Sequence, residues 1–173
     1  MGLFMHLDHA ELQALFTLWQ QTGGARLPAR REFTPADLKR WMGNLAIIRL
    51  VPPHGRLRVD LVGTRIVEID GYDSTGRFLD EIAPPHATDI LLEPYRNVLD
   101  HAQPHYHSVV PPSRPTTAVH RLLLPLADDG VTIDRILSGV CAEPAAAKPG
   151  ATVFDQLDPA ARRHRAQWAR LSC

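Results

Sequence analysis

Leu12, Leu15, Phe16 and Trp19 recur at i, i+3, i+4 and i+7, which sets four apolar side chains on one face of a helix. Asp8 precedes them as an N-cap with Glu11 three residues on, a capping-box-like start, and Leu7 and Leu12 flank it as a hydrophobic staple. Gly23 supplies the stop, so the pattern predicts a helix over 8–22 whose stripe is a core or partner face. A second, shorter helix is predicted from Thr34 as cap, Pro35 in the first turn and Asp37 at the positive end, closing at Gly43.

The period then falls to two. Residues 45–51 (LAIIRLV) form an apolar strand, PPHG turns the chain, and Leu57, Val59 and Leu61 alternate with Arg56, Arg58 and Asp60 in a half-buried partner strand. Residues 64–103 read as short helices and turns punctuated by Gly71, Gly76 and Pro84-Pro85. A longer helix is predicted over 88–100, with Leu91, Tyr95, Val98 and Leu99 on one side and Pro94 kinking it or shortening its start. Three further strands are predicted at 104–110, 118–126 and 131–141, the last two joined by a tight hairpin at Asp128-Asp129-Gly130. Helices first, then two strands, short helices and three strands describe an α+β domain with an antiparallel sheet. The stretch AEPAAAKPGA is a linker by composition, and Asp158-Pro159 opens a last helix.

Composition narrows the class. The chain has 173 residues, 45% hydrophobic, which suits one domain with a real core. Nineteen basic residues against 19 acidic ones exclude a nucleic-acid binder driven by phosphate neutralisation. No apolar run approaches a membrane span, and MGLFMHLDH is charged too soon for a secretory signal. Cys141 and Cys173 make no disulfide framework, so a cytoplasmic location is expected. Charge is uneven: 60–100 carries nine acids against three arginines, and 158–173 four arginines against one Asp.

Particular motifs refine this. LPARREFTPADL at 27–38, NLAIIRL at 44–50, RVDLVGTRIVEIDGYDSTGRFLDE at 58–81 and PLADDG at 125–130 resemble the short PAS-like family, mostly of alphaproteobacteria, once catalogued as a domain of unknown function. Gly63-Thr64 and the run 73–76 are the most specific parts. The resemblance covers about residues 7–141 and implies a PAS-like five-stranded antiparallel sheet, with short helices on one face around a small pocket and an N-terminal flanking helix. The expected organisation is flanking helices at 1–43, the PAS-like domain at 44–141, a linker at 142–157 and a basic helix at 158–173. The 32 residues after Cys141 are too few for a catalytic output domain.

Candidate chemistry follows. Light-sensing PAS relatives carry a reactive cysteine before Arg-Phe-Leu; here Gly76 stands there, so flavin photochemistry is not expected. Haem ligation by His86 or His101 is not expected either, since neither sits mid-helix. His105 and His107 share a strand face, and if 111–117 is the middle of a hairpin His107 lies opposite His120, a spacing that two imidazoles use to share a cation. No hydrolase elbow, P-loop or CxxC is present, Cys141 reads as a small core residue, and no catalytic residue is assigned. Arg162, Arg163, Arg165 and Arg170 around Trp168 are expected to dock on the acidic 60–100 region or on a partner.

The leading expectation is a stand-alone sensory module, a homodimer through Leu12, Phe16 and Trp19, with Leu91, Tyr95, His107 and His120 facing a ligand and Tyr72 as a lid. Its rivals are a ligand-free interaction adaptor and a small metal protein or enzyme using His105, His107 and His120.

Overall fold

The helical stripe forms as its spacing requires, in α1 (Ala10–Gly23). A computed structural model describes residues 7–111 and 115–144; the helix expected at 158–173 and residues 145–157 of the linker lie outside the described residues. The cap falls one residue later than expected. His9 is the extended N-cap and makes no side-chain cap bond. The reason is Leu7: its buried side chain joins the core, and Gln13 Oε1 accepts its N–H at 2.9 Å, which ties the chain down before the helix and leaves Asp8 in a bend ahead of the cap.

Five antiparallel strands follow in the spatial order β2-β1-β5-β4-β3: β1 (Leu45–Val51), β2 (Arg56–Val62), β3 (His105–Val109), β4 (Thr117–Leu126) and β5 (Arg135–Pro144). Between β2 and β3 lie α3 (Thr64–Asp70) and α4 (Pro85–His101), while α2 (Pro35–Leu38) precedes β1. The central strands are covered on both sides. Ile47, Leu122, Leu124, Leu137 and Cys141 belong to an outer core with α1, whereas Ile48, Val119, Leu123, Ile136 and Val140 belong to an inner core with Ile66, Tyr95 and Val98 from α3 and α4. Alternate residues of β1, β4 and β5 thus enter different cores, which is why LAIIRLV and LLLPL read as continuous apolar runs rather than as alternating ones.

The stripe assigned to a dimer contact is used within the chain. Leu12, Phe16 and Trp19 are almost wholly buried on the outer face of the sheet, and Trp19 Nε1 donates to the Pro125 carbonyl at 2.9 Å. The approach is close at Gly139 of β5, where an added Cβ would stand 2.7 Å from Leu15 Cδ2 and 2.9 Å from Leu12 Cδ2. Gly63 has a similar cause: its Cβ would fall 2.4 Å from the Gly43 carbonyl oxygen, so the Gly63-Thr64 step lets the end of β2 pass the Met42-Gly43 backbone.

Three local expectations are revised. The β4–β5 connection is not a tight hairpin, because Leu126 pairs with Arg135 and the chain between them forms a longer loop. Asp129 Oδ1 accepts from Val131 N at 2.8 Å and Thr132 N at 2.7 Å, a side-chain turn that competes with the ladder. β5 runs on to Pro144, into the stretch assigned to the linker. α4 starts at Pro85 and continues through Pro94, burying Tyr95 and Val98. The short second helix keeps its predicted cap: Thr34 Oγ1 accepts from Asp37 N at 3.3 Å, and Asp37 Oδ2 accepts from Thr34 N at 2.8 Å.

Part of the acidic 60–100 region is neutralised inside the domain. Asp60 pairs with Arg49 and Arg58, Asp80 and Glu81 with Arg56, and Asp89 with Arg96. Those acids are already engaged without the basic tail expected to dock on them.

Candidate functional site

The register of β3 on β4 decides which histidines meet. His107 lies opposite Arg121, His105 opposite Leu123 and Ser108 opposite His120. The expected pairing of His107 with His120 is therefore off by one residue. With a side-chain period of two, one residue moves His120 to the other face of the sheet. His105 and His107 look toward the inner core, and His120 joins the outer side beneath α1, so the three imidazoles cannot share a cation. Among the described residues no group of three or more His, Cys, Asp or Glu is arranged to hold a metal ion.

The inner group is built on the two neighbouring strands. The rings of His105 and His107 are 5.3 Å apart, tilted by 44°. His105 is buried, while His107 is half-buried with its Nδ1 sealed from solvent and without a hydrogen-bond partner among the described residues. Arg121, half-buried and directly across from His107, has no carboxylate partner among the described residues. Tyr72, 40% exposed, follows α3 and lies close enough to feel the Arg121 charge. Burial pushes His105 below the usual imidazole range. His107 falls to about 3, through burial first, then Arg121 and then His105. Burial and Asp70 push the Tyr72 phenol up, with Arg77 and Arg121 opposing. At neutral pH the group thus presents two neutral imidazoles, a phenol and one guanidinium beside an apolar floor of Val119, Leu123, Val140 and Tyr95. Such a set donates hydrogen bonds and carries positive charge.

Of the residues expected to face a ligand, Tyr95 and His107 are on this side and Tyr72 is at its margin. Leu91 is half-buried, but Leu92 and Leu99 are the leucines of α4 that pack on the inner core. His120 belongs to a second polar group on the outer face. Its Nδ1 is 2.7 Å from Tyr106 Oη, its ring centre 5.4 Å from that of His9, and its Nε2 3.0 Å from Glu143 Oε1, in ion-pair range though out of line for a hydrogen bond. Burial, then the Asp8 and Glu143 carboxylates, push the Tyr106 phenol up to about 12, so it stays protonated at neutral pH. Burial likewise drives the Cys141 thiol up to about 11, which removes its reactivity and fits the small core residue expected there. Three α1-side partners, His9, Tyr106 and Glu143, went unread in the sequence, as did Arg121. Arg121 had a signal: it is a lone charge on an inward position of AVHRLLLPL.

Gly76 takes φ +84° and donates its N–H to the Val59 carbonyl at 2.7 Å, so the place of the reactive cysteine is a left-handed turn that favours glycine. His86 and His101 lie near the two ends of α4 and are exposed, and His101 Nδ1 is 2.9 Å from the Asn97 carbonyl oxygen.

A five-stranded antiparallel sheet with helices over its inner face and a flanking helix on its outer face defines a PAS-type α+β module. The chain belongs to the PAS domain family, whose model matches residues 7–141. Similar solved structures include a light-oxygen-voltage domain studied with a flavin analogue, 16% identical over 62% of this chain and 82% of that one, TM-score 0.45. Another is a sensory box sensor histidine kinase from Vibrio cholerae, 16% identical over 63% of this chain and 87% of that one, TM-score 0.41. No curated protein matches the chain. Among the described residues no helix is long and apolar enough to cross a membrane.

Proposed function

We propose that the chain is a sensory PAS module in which a small molecule held on the inner sheet face alters how α1 sits on the outer face. The observation that carries this reading is that β3 and β4 serve both sides at once. His107 and Arg121 face inward, while Tyr106 and His120, one residue along the same strands, face α1. A displacement of either strand moves both groups, and a ligand that prefers one arrangement shifts the population toward it.

On this reading the protein works in the cytoplasm without catalysis of its own, and as a homodimer. The buried stripe of α1 is occupied by the sheet, so a dimer would meet through the remaining surface of α1 or through a sheet edge. Exposed apolar side chains such as Leu61 and Val109 lie on the two opposite edge strands, and Val131 in the β4–β5 loop, which does not favour an adaptor with one large sticky patch.

Native mass spectrometry of freshly purified protein tests occupancy, and hydrogen exchange across α1, with the site empty and filled, tests transmission. A co-purified organic molecule together with altered exchange at Ala10–Gly23 is the expected result. Unchanged exchange in α1 with the inner face occupied would refute the transmission.

A further inference from the structure

The inner group has features that select a ligand class, and the inference drawn from them rests on the sensory reading above. Arg121 is a guanidinium on the inward face of a strand otherwise lined there by Val119 and Leu123. A guanidinium drawn partly out of water on an apolar strand face gains from an opposite charge, and the described residues supply none to it. Directly across the ladder, His107 has a sealed ring nitrogen with no hydrogen-bond partner among the described residues. Buried polar nitrogens are nearly always satisfied, so the two neighbours together describe a place missing a partner. The missing partner must serve a planar, two-pronged cation and a neutral imidazole side by side.

We propose that the inner face binds a small organic monocarboxylate, its head group against Arg121 and His107 and its apolar body along Leu123, Val140 and Tyr95. A carboxylate matches the guanidinium fork with two parallel hydrogen bonds and has lone pairs left for His107 in the tautomer that carries its proton on Nδ1. The charge also counts. Among the side chains of β3 and β4, Arg121 is the one permanent charge, and His107 stays neutral through the physiological range because burial and Arg121 hold its proton off. One positive charge on these strands is balanced by one carboxylate; a phosphate dianion or a dicarboxylate would bring a second negative charge, for which β3 and β4 supply no cation among the described residues. Tyr72, at the margin with its hydroxyl protonated, is placed to close over the head group.

The test compares acids with their neutral amides on the full chain. Benzoate and hexanoate, benzamide and hexanamide, and inorganic phosphate are titrated at millimolar levels, read by calorimetry and by backbone amide NMR. Both acids should bind and shift the amides of 105–109 and 119–123, and neither the amides nor phosphate should. Arg121→Gln should weaken benzoate roughly ten- to hundredfold, the loss of a charge-assisted pair, and Arg121→Lys should lie between the two. A dispersed spectrum for each variant keeps the comparison free of misfolding, and His107→Leu supplies a second variant with reduced benzoate affinity. If the amides bind as well as the acids at the same residues, the carboxylate inference fails while the ligand-binding reading stands. If neither acids nor amides reach the inner face, both fall.

Discussion

At the scale of single residues, His107 is the clearest departure from what stability alone would select. Its ring sits on an inward strand position with Nδ1 unpartnered among the described residues, and a leucine there would satisfy the inner core more simply. Its folded value of about 3 lies below the 6.5 of an ordinary histidine, so the unfolded chain takes up the proton first. Stability tied to this group is complete above pH 6.5 and is lost as pH falls from there toward 3. His107→Leu removes both the proton linkage and the unpaired nitrogen. Denaturant unfolding near pH ~7 should find the variant more stable by about 1–3 kcal/mol. Between pH 6.5 and 4.5, before most carboxylates titrate, its stability should also decline less than that of the parent. Equal slopes for the two proteins in that window would mean that His107 is solvated and free to protonate. His105, also pushed down by burial, accounts for the residual slope expected in the variant.

Elements fit together here by close approach. α1 rests on β5 where Gly139 leaves no room for a side chain, and Leu12 and Leu15 fill that hollow. Leu12→Ala should therefore cost about 2–5 kcal/mol, as a fully buried leucine does when its cavity cannot collapse. Gly139→Ala should cost about 1–3 kcal/mol by overpacking the same contact from the other side. Combined, the two changes should lose less than their sum, because each relieves what the other creates. Urea denaturation of all four proteins measures this, and strict additivity would mean that the contact is not shared. The stripe of α1, both strands of the first hairpin and the caps of α2 were legible in the sequence because each rests on local periodicity or on a side chain bonding its own backbone. What α1 packs against was not legible, since a core face and a dimer face have the same spacing. The β3–β4 register was also hidden: His105 and His107 were correctly placed on one face, but nothing local says which residue of β4 each one meets. At Asp128-Asp129-Gly130 the turn residues were real, yet Asp129 spends its carboxylate on Val131 and Thr132 and draws the loop out to Asp134. The inner site was thus half visible, through its histidines and Tyr72, and Arg121 became part of it only once the register was known.

Across the whole molecule, the two polar groups lie back to back on β3 and β4, so a ligand held on the inner face as proposed would be separated from α1 by the sheet. If binding inside loosens or tightens α1, linkage requires that a change in how α1 is held alters ligand affinity by the same factor. Tyr106→Phe is suited to reading that factor. It removes the hydroxyl 2.7 Å from His120 Nδ1 beneath α1 and leaves the ring, the strand register and the inner face in place. The His120 nitrogen is left unpaired, so a loss of about 1–3 kcal/mol in stability is expected. Hydrogen exchange should show α1 opening more often, and benzoate affinity should move with it, weaker if the acid prefers the docked helix and stronger if it prefers the released one. Arg121→Gln, by contrast, should lower affinity while leaving the exchange of unliganded α1 close to that of the parent. Exchange at Ala10–Gly23 and calorimetry on the same samples give the two sides of the relation independently. A Tyr106→Phe protein whose α1 opens more readily while its benzoate affinity stays constant would show that the two faces are uncoupled, and the sheet would then be a partition between them rather than a lever.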